Sequence, residues 1–518
     1  MARPEFALTR RMLMASAAAA GAAACGPRDG APPGLLRAAI DSEPDSLNPL
    51  KGQFASSALL FKQLHAPLTE YSPSGGLAPG LASSWRSADA RTWRFTLRDG
   101  LVWSDGARLT AEDVVWTARR AVDPATGFAD LGDFFAVVNA REALRGEVAP
   151  ETIGVSAPDP RTVVFQLDRP VALFPVLMRE FYPLPRHVLE AEPDAWLRPQ
   201  NWVSAGPYLL TARGALSLGM TRNPRFHAAD SVPVERIDVQ VIEDAAARAR
   251  RFRAGDLDLA DRPPGDQIGF LRDQLGARLQ GYRAPILTYI KVNCARPHLA
   301  DPRVRRALSL AIGRARLNEQ FFNGEASPTG VVIPDEDHVA PPRDPAAARR
   351  LLAEAGYGPG APLQVSLRAT AGDRDRVGVA IMDDFAEAGV QTTLNATYPN
   401  DLYQAVDGGD YDLALARFDR GLKSDPEFMI QPFAQDGFAD NTNWTGPRRA
   451  AFDALIEAAS AELEAADRLN LLREAERIFI AEMSSIPLLH ERAYWMIAER
   501  VAAPETIQPQ LWRDLALQ

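Results

Sequence analysis

The chain has 518 residues, with 57 basic against 67 acidic side chains and a net charge of −10. That length predicts two or three domains with substantial cores. The acidic balance, with no basic stretch interleaved with aromatics, argues against nucleic acid as a partner.

The first 25 residues read as an address. Arg10 and Arg11 precede an apolar run from Met12 to Ala24 that ends in small residues and Cys25. The run is too short to span a bilayer of about 30 Å as a helix, and its layout is that of an export signal. The paired arginines suggest the twin-arginine route, although the residues after them fit that consensus poorly. Small residues before Cys25 resemble a bacterial lipobox, in which the cysteine is lipidated; the alternative is ordinary cleavage near Ala24. With Cys25 lipidated, Cys294 is the only other cysteine and reads as a small buried hydrophobe. Only Lys51, Lys62, Lys291 and Lys423 are lysines, so arginine carries nearly all the positive charge.

After the tether "GPRDGAPPG", "LLRAAIDSEPDSLNP" predicts a strand and a loop. "RTWRFTLRDG" alternates apolar Trp93, Phe95 and Leu97 with polar residues, the mark of a half-buried strand. "LTAEDVVWTARRAV" opens as a capping box, Thr110 with Asp113, and continues as a helix. "TVVFQLDRP" and "ERIDVQVIED" predict strands, and "AAARARRFRAGDLDLA" a helix ending near Gly255 that feeds a short strand. "DPRVRRALSLAIGRARL" and "DPAAARRLLAEAGY" each begin with an Asp N-cap and proline at the first helical position. "PLQVSLRA" and "VQTTLNATY" flank a helix over about 375–389, and residues 449–483 predict two packed helices. In "YDLALARFDRGLKSDP" (411–426) an alternating strand gives way to charges of both signs around Gly421. The alternation of strands and helices implies an α/β fold with mixed sheets.

Motifs for catalysis are lacking: there is no phosphate loop, dinucleotide fingerprint, HExxH or G-x-S-x-G. "PDEDHVAPP" (334–342) clusters Asp335, Glu336, Asp337 and His338, which suits either a cation or, better, a solvated loop. No cofactor and no metal site are expected, and an enzyme is unsupported.

Taken in order, "SEPDSLNP", "PGLASSW", "WSDGARLTAEDVVWTARRAVDP", "SAGPYLL", "RNPRF", "RAGDLDL", "DPRVRRALSLAI" and "LLAEAGY" resemble the dipeptide/oligopeptide-binding family of extracytoplasmic solute-binding proteins, ABC-importer receptors of family 5. The resemblance runs from about Leu36 to the C-terminus, and "NAREALRGEVAPETIGVSAPDPRTVVFQL" is similar to the oligopeptide branch. It implies a two-lobed periplasmic-binding-protein clamp (type II). Residues 1–25 would be the signal and 26–35 a tether. Lobe one would comprise 36–72, an inserted subdomain at 73–200, 201–290 and the C-terminal 490–518, with lobe two at 291–489. Peptide would lie extended between the lobes, held by backbone bonds and roomy hydrated pockets, and a monomer would deliver it to a permease.

The resemblance also implies site residues. Glu43 and Pro44 match a cleft-lining stretch, or form a plain turn; Phe128, Tyr289 and Tyr398 are aromatic candidates, with Phe128 and Tyr289 suiting the core equally. Arg374 and Arg376 occupy a loop that can bind the peptide carboxylate, or pair with Asp373 or Asp375. Relatives place an Asp three residues after an aromatic to hold the peptide ammonium. Here Phe418 is followed by Gly421 at that spacing, and the step to Pro426 is one residue longer. Either Asp419 or Asp425 replaces that acid, or the ligand lacks a free amine and Arg417, Arg420 or Lys423 meets an anion. The alternative cargo is then an opine-like conjugate, an oligosaccharide or a metal chelate; an exported hydrolase is the remote third reading.

Overall fold

The computed structural model describes residues 32–518, apart from 73–75, 127–135, 194, 336, 373, 436 and 506–507. Local sequence signals set the elements. Helix Ala111–Ala121 starts at the capping box, with the Thr110 N–H donating to Asp113 Oδ2 at 2.8 Å. Helices Pro302–Ala311 and Pro345–Glu354 are capped by Asp301 and Asp344, each accepting a backbone N–H. Helix Ala245–Arg253 ends before Gly255, whose φ of +79° suits a residue without Cβ.

A mixed sheet of eleven strands runs through the molecule, and a separate antiparallel sheet of four strands (Ala82–Arg86, Thr92–Leu97, Thr162–Gln166, Val155–Asp159) lies beside it. At one end of the large sheet Leu35–Ile40, Arg236–Val241 and Leu259–Asp261 are neighbours; at the other, Gln364–Thr370 pairs in parallel with Gln391–Thr397 and Leu413–Asp419. Between them lie two long strands, Leu279–Val292 and Ser485–Ile497, antiparallel to each other.

These two strands change cores along their length. Tyr282 and Trp495 join one large core, which also contains the four-stranded sheet's Trp93, Phe95 and Phe165. Leu287 and Tyr289 belong to a second, with Phe433, Phe452 and Phe479, while Ile290 and Ile486 enter a third around Phe385 and Leu308. The changeover coincides with a break in register between Arg283 and Leu287, where Pro285 offers no N–H to the ladder. Two bodies therefore meet across a pair of strands. Helices Pro447–Ala461 and Ala465–Glu482 pack together on the second body, as their periodicity predicts. No helix among the described residues is long and apolar enough to cross a membrane.

Candidate functional site: a cleft between two bodies

A cavity of about 1200 Å³ opens between the bodies above the two long strands. One wall comes from Asp41, the first turns of helix Ala55–Leu64 and residues 261–268; the other from residues 320–326, Arg374, Arg376 and the turn 419–423.

Strand geometry decides which side chains reach the cleft floor. Successive residues point to opposite faces. Thr288 pairs with Arg417 and Ile286 with Asp419, and all four line the cleft. Leu287 pairs with Phe418 and faces the core underneath. On the open face Thr288 Oγ1 donates to Glu491 Oε1, and Arg417 Nε donates to Glu491 Oε2 at 3.1 Å. Arg417 Nη2 also stands 3.6 Å from Asp419 Oδ2. Asp419 Oδ1 accepts the Gly421 N–H at 2.8 Å, which closes the turn. Gly421 has φ +61°, and a Cβ built there would meet nothing within 4 Å, so backbone conformation rather than space favours glycine.

Across the cleft, Arg262 holds a left-handed backbone (φ +48°), and its Nη1 is 2.5 Å from Asp41 Oδ2. The neighbouring Asp261 has its pKa pushed up to about 6, chiefly by burial, and its Oδ1 lacks a hydrogen-bond partner among the described residues. Glu325 accepts from Arg272 and from the Tyr494 hydroxyl.

The structure sorts the expected site residues into three groups. Arg374, Arg376, Arg417 and Asp419 line the cleft. Tyr289 and Phe418 do not: they are 2% and 7% exposed, and their rings pack edge to face at 5.7 Å, with Phe433 5.4 Å from Tyr289. Each alternates with the cleft-lining residues of its own strand, Tyr289 with Thr288 and Phe418 with Arg417 and Asp419, so core packing takes them. Glu43 is exposed, Pro44 is buried, and neither reaches the cavity wall, which takes Asp41 from that loop instead. Tyr398 precedes helix Pro399–Asp407 and is exposed away from the cleft. Asp425 is tied to Arg468 at 3.3 Å and to the Glu427 N–H, beside a separate cavity of about 380 Å³. Phe128 and Cys25 lie outside the described residues.

Sequence reasoning passed over Arg262, Thr288, Glu491, Lys62 and Glu180 as cleft residues. Lys62 and Lys423 carried a faint signal as two of only four lysines; Glu180 and Glu491 carried none. Of the acidic run at 334–342, Asp335 pairs with Arg473 at 3.4 Å and His338 Nε2 accepts the Gly330 N–H, while Glu336 lies outside the described residues. Among the described residues no group of three or more His, Cys, Asp or Glu is placed to hold a metal. Cys294 is partly buried, and desolvation pushes its thiol up to about 11.

Residues 76–440 match the model of the bacterial extracellular solute-binding proteins, family 5, over its middle region. The chain belongs to that family. Family 5 relatives include the periplasmic murein peptide-binding protein MppA of Escherichia coli K12, 28% identical over 471 residues, 87% of this chain and 86% of the relative. Protein XP55 of Streptomyces lividans is 30% identical over 528 residues, covering 95% and 91%. The probable deoxycholate-binding periplasmic protein YgiS of Escherichia coli K12 is 28% identical over 481 residues, covering 89% of each. The solved unliganded open form of MppA superposes with a TM-score of 0.82 at 25% identity, over 94% of this chain and 98% of that one. Haemophilus influenzae OppA in complex with RPPGFSPFR shares the fold, with a TM-score of 0.74 at 24% identity over 93% and 98%. The architecture is thus the two-lobed α/β clamp of family 5, a family of receptors rather than of enzymes.

Proposed function

We propose that this family 5 protein is the extracytoplasmic receptor that captures oligopeptides in the cleft and hands them to the transmembrane subunits of an ABC importer. The observation that carries this reading is the cavity itself. At about 1200 Å³ it exceeds the roughly 300–1000 Å³ of small-molecule sites, and it lies between lobes joined by two strands. Such a space admits an extended peptide with water around its side chains.

Within it Asp419 is the anchor for the peptide ammonium, its carboxylate fixed by Gly421 and facing the cavity. Asp425 is committed to Arg468 and does not take that part. Arg374 and Arg376, on the cleft wall, meet the far carboxylate. The lobes close about the register break near Pro285, lobe two being residues 291–489 and the subdomain 73–200 riding on lobe one. Cys25 carries the lipid that tethers a monomer at the cell envelope after twin-arginine or general export.

Mass spectrometry of ligand that co-purifies with the native protein tests the cargo directly. Added peptides should raise the melting temperature, since ligand at about a hundredfold its dissociation constant contributes about 2.7 kcal/mol. The peptides should be recovered uncleaved. A melting curve moved by deoxycholate, an opine-like conjugate, a sugar or a chelate, and not by peptides, overturns the reading in favour of that solute; turnover of the peptide favours an enzyme.

A further inference from the structure

The four lysines of this chain are not scattered at random with respect to the cleft. Two of them, Lys62 on lobe one and Lys423 on the turn from lobe two, gather on one carboxylate, Glu180. Lys423 Nζ is 3.0 Å from Glu180 Oε2. Lys62 makes no ion pair within 4 Å among the described residues, and its Nζ donates to its own helix at Ala58 O. Arg420 completes the group. Its guanidinium lies over the rings of Phe428 and Phe438, at 5.8 and 5.4 Å, and its buried Nε has no hydrogen-bond partner among the described residues.

Among the described residues three cations thus face Glu180 at this end of the cleft. Partial burial opposes the ionised form of Glu180, yet Lys423 and Lys62 hold its pKa down to about 2. Lys62 is pushed the other way, by burial and by the repulsion of Lys423. Arg179, packed behind on Tyr71 at 4.2 Å, adds positive charge, and the nearby Asp425 is already neutralised by Arg468. Bringing cations together beyond the acid available costs desolvation and repulsion that a ligand anion would offset.

We infer that Lys62, Arg420 and Lys423 form an anion subsite of the cleft, which selects ligands carrying a carboxylate side chain beside their amino end. The position along the ligand follows from the turn. Asp419 and Lys423 sit at the two ends of one hydrogen-bonded turn, in which Lys423 N donates to Arg420 O at 2.9 Å. An ammonium on Asp419 therefore leaves the first side chains within reach of the cations. This inference rests on the peptide reading and on Asp419 as its anchor.

Isothermal titration of the full chain with matched tripeptides tests it. Glu-Ala-Ala should bind roughly tenfold to a hundredfold more tightly than Gln-Ala-Ala, as for hydrogen bonds to a charged group. The same exchange at the third position, Ala-Ala-Glu against Ala-Ala-Gln, should change affinity little. Lys62→Met and Arg420→Met should each shrink the first ratio while Gln-Ala-Ala binds as before. Glu180→Gln, which removes the negative charge these cations face, should widen it, and carries the test if the other variants do not fold. Equal affinities for Glu-Ala-Ala and Gln-Ala-Ala overturn the subsite and leave the receptor reading standing. Equal gains at both positions would mean general attraction and overturn it too. Failure of every tripeptide to bind removes the peptide reading and the subsite together.

Discussion

The two faces of one strand pair make the sharpest contrast in this molecule. On Leu279–Val292 and Leu413–Asp419, the residues Leu287, Tyr289 and Phe418 point down into an aromatic core, while Thr288, Arg417 and Asp419 point up into the cleft. The residues are adjacent in sequence, and a shift of one position would exchange the two sets. The lower face is packed by edge-to-face rings; the upper face is a chain of ion pairs ending in a turn. One layer of backbone therefore separates what holds the lobe together from what meets the solute.

The contrast is broken most forcefully from below. Phe418→Ala should cost about 3–5 kcal/mol of stability in denaturant unfolding, the range for truncating a buried phenylalanine. Peptide affinity of the folded fraction should stay close to the native value. A loss of affinity without loss of stability would put the ring in the cleft after all.

From above, Asp419→Ala should weaken a free-amine peptide by about 2–3 kcal/mol, as when a charge pair loses one member. The N-acetylated peptide should lose almost nothing, and melting should move little. Equal losses for both peptides would assign Asp419 a structural part in the turn.

A carboxylate inside the core should behave unlike Glu180 in the cleft, whose pKa is held down by the lysines beside it. Glu476 is 8% exposed and accepts the Val332 and Ile333 N–H groups, and burial pushes its pKa up to about 7. The folded state then holds its proton more tightly than the unfolded chain, whose value is about 4.3. The stability this contributes is complete at pH values below the unfolded pKa and is lost as pH rises through about 7, a change on the order of 3–4 kcal/mol. Chemical denaturation between pH 4.5 and 8 should show this slope, and Glu476→Gln should flatten it.

The smallest effect is expected at Asp425. Asp425→Ala should leave peptide affinity unchanged and lower stability by about 1 kcal/mol through Arg468. An affinity loss matching that of Asp419→Ala would make Asp425 the ammonium anchor instead.

Much of the fold was legible locally. The capping box at Thr110, the Asp-Pro helix starts at 301 and 344, and the alternation of Trp93, Phe95 and Leu97 each specify an element from a few neighbouring residues. The site was legible only in part. Arg417 and Asp419 stood out because charge ends an apolar strand there, and Arg374 and Arg376 by resemblance. Tyr289 and Phe418 were ambiguous, since an aromatic ring suits a ligand and a core equally well and only the strand's facing distinguishes them.

By itself the sequence determined the order and kind of the elements, the α/β class and a family pattern spread across most of the chain, because caps, turns and periodicity act over a few residues. Tertiary structure alone decided which of two candidate acids near Gly421 faces the cleft. Asp419 and Asp425 are chemically equal in sequence, but Arg468, 43 residues away, claims the second and leaves the first to the cleft. It also decided that Lys62, Glu180 and Lys423 share one place, which no local pattern records. Ion pairing and burial depend on distances through space, and these exist only once both lobes have folded against the strands that join them.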